Sequence, residues 1–150
     1  MWLAWKKVNG VNFWEEPGPE TSGYGRIVHQ RVPVASADAA KARFTTESAW
    51  IDWRGAQLMA DVRETTVHAP GDGYMVIDVG LRLSALEQGV TLDLMRGDPG
   101  RGGLFYSGLA IRFANAMSPG KLLDADGRTD AAQIFGRRSA WCGYAGEHVE

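Results

Sequence analysis

A chain of 150 residues with a formal net charge of −2 is about one domain of protein, and its 16 basic residues are scattered rather than gathered into a patch. That excludes nucleic acid as an expected partner. Apolar residues make up 45% and charged residues 23%, an ordinary globular balance, and no run approaches the roughly 18 apolar residues of a membrane span. No membrane partner is expected. Met1 to Lys7 has no basic-then-apolar export pattern, and the single Cys142 cannot form an internal disulfide, so compartment is left open.

In chain order, the first feature is the loop VNGVNFWEEPG, Val8 to Gly18, polar and aromatic together. Gly25 to Val32 alternates as a strand, and the alanine-rich Val34 to Ala42 suits a turn of helix. Lys41 to Trp53 reads as the next strand, with Trp50 and Trp53 on opposite faces, and WRGAQ as a short turn. Gln57 to His68 places Leu58, Ala60 and Val62 on one face, which Glu64, Thr66 and His68 continue. APGDG, Ala69 to Gly73, has the residues of a hairpin connection. Tyr74 to Ala85 then sets Met75, Ile77, Val79, Leu81, Leu83 and Ala85 on one face as a core wall, and should pair antiparallel with the strand before it.

EQGV is a further turn, and strands are expected at Val90 to Met95, Leu104 to Ala114 and Ser139 to Ala145. Asp93 to Gly103, containing GDPGRGG, and Asp124 to Asp130, DADGRTD, are loop chemistry. No repeat or linker divides the chain, so residues 1–150 read as a single all-β domain, an antiparallel β-sandwich.

Two constellations carry possible chemistry. Asn9, Asn12, Trp14, Glu15 and Glu16 combine amides and carboxylates with an indole, the set that grips a sugar's hydroxyls while stacking its C–H face; an ordinary loop anchored by one Trp is the alternative. Glu64 and His68 extend a strand face as a candidate acid/base pair, or simply run out into solvent. Arg112, taken as a strand residue facing away from Leu109, Ile111 and Phe113, and Trp141 are further candidates for holding a substrate. His29, His68 and His148 have no metal-ligand spacing, so no metal and no cofactor is expected. GDPGRGG lacks the Lys-Ser/Thr ending of a phosphate loop, and Cys142 has no protease context.

The segments LAWKKVNGVNFWEE, GRIVHQ, GLFYSGLAIRFAN and LLDADGRTDAAQIFGRRSAWCGYAG, in this order, resemble the bacterial PmoA-like proteins, a family of uncharacterised function labelled methane oxygenase. The label describes a bundle of membrane helices, which a chain of strands without a span cannot be. What the resemblance implies is a β-sandwich similar to the galactose-mutarotase-like supersandwiches, incomplete at both ends, and a link to carbohydrate metabolism. Where the family pattern often has Asp before the Phe-Trp pair, this chain has Asn12.

The expectation is thus a carbohydrate-active protein binding a sugar or small polar ligand. Glu64 and His68 would be the catalytic residues and Asn12, Trp14, Glu15, Arg112 and Trp141 the binding residues. A non-catalytic sugar-binding or interaction module is the alternative, and uncovered strand edges are expected to favour self-association.

Overall fold

The computed structural model describes residues 1–15, 17–18, 21–86, 89–93 and 107–147. It is all-β, with antiparallel sheets, as the alternation required. The strands are β1 (Trp2–Trp5), β2 (Lys7–Val8), β3 (Arg26–Ala37), β4 (Lys41–Ile51), β5 (Gln57–His68), β6 (Ile77–Ala85), β7 (Leu92–Asp93), β8 (Ser107–Ala110), β9 (Lys121–Asp124) and β10 (Cys142–Ala145). A 3-10 turn, Asn115–Met117, and the short helix α1, Ala131–Ile134, complete the set. Two compact units result, Trp2–Ala110 and Ile111–Glu150, the latter joined by Met1.

In the first unit, β3, β4, β5 and β6 form a four-stranded antiparallel meander, while β1 pairs with β8 and β2 with β7. Register decides which side chains share a face. Trp50 stands opposite Met59, Ser48 opposite Asp61, Thr46 opposite Arg63 and Phe44 opposite Thr65. On β6, Leu83 is opposite Asp61, Leu81 opposite Arg63 and Val79 opposite Thr65. These make the inner face. Ala60, Val62, Glu64, Thr66 and His68 make the outer face with Arg43, Glu47, Asp78 and Arg82.

Trp50 and Met59, both buried, are covered by Leu3, Ala4, Val8, Val11 and Phe13, with Leu81 and Leu83 packed at the margin. The Trp50 ring lies 5.1 Å from Phe13 and 6.1 Å from Trp5, centroid to centroid. That core occupies one end of the inner face only. At the other end Phe44 is 40% and Ile77 54% exposed.

Of the core wall expected over Tyr74 to Ala85, Leu81 and Leu83 pack against the core and Val79 is half-buried, whereas Ile77 and Ala85 are exposed and Met75 lies before β6, exposed as well; β5 turns its other side inward. Its buried residues are Met59 and Asp61, whereas Ala60 and Val62 join the charged outer face. A register shift between Trp50 and Ile51 accounts for Leu58, which sits at the irregularity and packs against the core.

Val34 to Ala42 makes no helix. It is the end of β3, a tight reversal and the start of β4, closed by Asp38, whose Oδ1 accepts from the backbone N–H of Ala40 at 2.7 Å and of Lys41 at 2.9 Å. Pairing along two long strands outweighs the helical preference of alanine. Trp53 lies in the turn after β4, with the Arg54 guanidinium 4.9 Å above its ring, so the two tryptophans are not on one strand. The expected turns WRGAQ and APGDG are present, with Gly55 and Gly73 at positive φ. GDPGRGG, Glu87 and Gln88 of EQGV, and Leu94 and Met95 lie outside the described residues.

In the second unit β9 pairs with β10, and the DADGR turn between β9 and α1 is built around Asp124, which is 2% exposed. Its Oδ1 accepts from the backbone N–H of Asp126 and of Arg128, both at 3.0 Å, and its Oδ2 from Arg128 Nε at 2.7 Å. Burial pushes this carboxyl up, and the N–H donors and the Arg128 charge outweigh it, holding the group below the usual carboxylate range. Asp130 caps α1, accepting from Ala132 N–H at 2.7 Å.

Candidate functional site

The loop VNGVNFW begins as an Asn-Gly reversal. Asn9 and Gly10 both have positive φ, 49° and 81°, and Val8 and Val11 exchange backbone hydrogen bonds at 2.8 and 2.9 Å. Two left-handed residues in succession are what a two-residue turn of this hand requires. Asn9 Oδ1 then accepts from Thr91 N–H at 2.8 Å.

Asn12, Trp14 and Glu15 do come together here. Asn12 Oδ1 accepts from the N–H of Trp14 at 2.9 Å and of Glu15 at 3.3 Å, while its Nδ2 donates to Glu15 Oε2 at 2.9 Å. Lys6 Nζ donates to Glu15 Oε1. Amide and carboxylate thus hold the loop in shape and prop half-buried Trp14 against the core. Glu16 lies outside the described residues.

The Lys6 hydrogen bond, helped by Asn12 and the Lys6 charge against a desolvation penalty, holds the Glu15 carboxyl below its ordinary value of 4.5. A lowered folded value means that the bridge contributes fully above about pH 4.5 and is lost as pH falls through that lower value. An NMR titration should therefore show the Asn12 side-chain amide unchanged from pH 7 to 5 and moving only in more acid solution. Movement near neutrality would mean that the bridge does not form.

On the outer face, Glu64 stands opposite Gly80 and is exposed. The missing side chain leaves a shallow hollow of about 170 Å³ lined by Val62, Glu64, Gly80, Leu81 and Arg82. His68 is bonded elsewhere, its Nε2 lying 2.7 Å from Asp78 Oδ2 across the β5–β6 ladder. Four residues apart on one strand, Glu64 and His68 have Cα atoms roughly 13 Å apart. The structure does not make them one proton-transfer pair.

Arg112 is not on a strand. β8 ends at Ala110, and Arg112 is exposed in the segment between it and the 3-10 turn. Trp141, 53% exposed, precedes β10. Both belong to the second unit, whereas Asn12, Trp14, Glu15, Glu64 and His68 belong to the first. Among the described residues no three His, Cys, Asp or Glu side chains gather as a metal site, and His148 lies outside them. No described helix is long and apolar enough to cross a membrane.

The sequence reading missed a pair on the inner face. Asp61 is 1% exposed and accepts from Trp50 Nε1 at 2.7 Å; Arg63 Nε donates to its Oδ1 at 2.7 Å and Arg63 Nη2 to its Oδ2 at 3.4 Å. The guanidinium is gripped by its Nε edge, and Nη1 has no hydrogen-bond partner among the described residues. Thr46 and Leu81 flank Arg63, and Phe44, Thr65 and Val79 form the next row outward. The signal was the alternation Met59, Asp61, Arg63, a face as regular as the one chosen.

Comparison with family profiles gives a match over residues 1–150. The chain belongs to DUF6807, a family of unknown function. No characterised protein and no solved structure matched it.

Proposed function

We propose that the protein binds a carbohydrate on the open half of the inner face. The supporting observation is the guanidinium of Arg63, pinned by a buried carboxylate beside an uncovered apolar floor. Neighbouring hydroxyls of a sugar ring accept from the free Nη1 edge, while the ring's C–H face lies on Phe44, Val79 and Leu81. Asp61 already balances the Arg63 charge, so a neutral polyol suits the site. The resemblance to the PmoA-like proteins supports the same ligand class. Binding is favoured over turnover because Glu64 and His68 stand apart, the latter bonded to Asp78.

The test is a calorimetric titration of the folded chain with a panel of mono- and oligosaccharides. Arg63→Lys should weaken binding about tenfold or more, since an ammonium cannot both hold Asp61 and present a planar edge. Phe44→Ala should weaken it similarly, and Glu64→Gln on the outer face should leave it unchanged. If Glu64→Gln abolishes binding and Arg63→Lys does not, the ligand sits in the outer hollow. No response to any sugar ends the carbohydrate reading.

A further inference from the structure

We propose that the free edge of β6 is a self-complementary surface through which two copies of this chain join their four-stranded sheets. β6 ends the order β3-β4-β5-β6 and pairs, among the described residues, with β5 alone. The opposite edge is blunted: β3 contains Pro33 and two register irregularities, both of which discourage pairing. β6 has neither. Its nine residues run in unbroken register from Ala85 opposite Met59 to Ile77 opposite Val67.

The sequence IDVGLRLSA supplies the partner, because it is nearly palindromic in chemistry about Gly80. In an antiparallel pair with Gly80 on a two-fold axis, Asp78 of each copy faces Arg82 of the other. Val79 faces Leu81 and Ile77 faces Leu83. Every pair keeps inner face with inner face and outer with outer. Sliding one copy by two residues either way puts Asp78 opposite Gly80 or Ser84 and leaves Arg82 facing no anion. One register is therefore selected by charge, and a two-fold interface closes on itself instead of growing into a fibre.

The present contacts leave this pairing available. Arg82 makes no ion pair among the described residues, and the Asp78 side chain is 68% exposed even with His68 beside it. Ile77, 54% exposed, would gain an apolar neighbour across the new ladder. Pairing extends the inner face without a break into an eight-stranded sheet.

Sedimentation velocity over the micromolar range tests this. The wild-type chain should show a concentration-dependent dimer, and Asp78→Arg or Arg82→Asp alone should weaken it about tenfold or more by setting like charges opposite each other. Mixing the two single variants should restore dimers, since each then meets its opposite. His68→Gln, a control for the lost Asp78 contact, should leave the dimer intact, and far-UV circular dichroism should show all variants folded. A wild-type chain that is monomeric throughout, single variants that dimerise as well as wild type, or a folded mixture that stays monomeric overturns the proposal.

Discussion

Replacing Asp61 with Ala should lower the free energy of unfolding by about 1–3 kcal/mol, the range for leaving a buried donor without its acceptor. The carboxylate is 1% exposed and serves two donors, Trp50 Nε1 and the Arg63 guanidinium. Without it, an indole N–H inside the core is left with no acceptor. Arg63 suffers less, because its side chain is 28% exposed and reaches water. Asp61→Asn keeps one acceptor oxygen and should cost less than Ala. Chemical denaturation followed by tryptophan emission checks both, since Trp50 is fully buried against Phe13 and near Trp5. A loss below about 1 kcal/mol for Asp61→Ala would show that the network is incidental to stability.

The same residue marks where sequence reading stopped. Alternation on β5 was plain, yet period two offers two faces, and Leu58, Ala60 and Val62 made the wrong one look apolar. What set the faces was the register shift beside Trp50 and the need of that indole for an acceptor, both tertiary facts. On β6 no such conflict existed, because Ile77, Val79, Leu81 and Leu83 all fall on one side and charge on the other. Turns were legible where a side chain or glycine imposes the geometry, as in WRGAQ and APGDG. Asp124 read only as a loop residue and Asp38 as part of a helical turn, although each closes its turn through its own carboxylate. Asn12, Trp14 and Glu15 were correctly grouped by proximity, but spacing does not say whether an amide faces a ligand or its own loop.

Gly25→Ala should destabilise the chain by about 1–3 kcal/mol, a large effect for one added methyl group. A Cβ built there lies 2.4 Å from both Cε1 and Cζ of Phe13, well inside contact distance. Phe13 has nowhere to go: it is fully buried, with the Trp50 ring 5.1 Å away. Nor is the backbone free to retreat, since Gly25 N–H donates to Asn12 O at 2.8 Å and Asn12 N–H to Gly23 O at 2.9 Å. In an uncrowded position the same change would stabilise by about 0.4–1 kcal/mol through the unfolded state, so even the sign is informative. A double-mutant cycle isolates the clash. Phe13→Leu alone should be costly because it leaves a cavity, but combined with Gly25→Ala the loss should fall short of the sum, as the smaller side chain gives room to the methyl. Strict additivity in denaturant melts would mean that Gly25 and Phe13 do not meet, and that the loop carrying Asn12 and Trp14 docks on the sheet in another way.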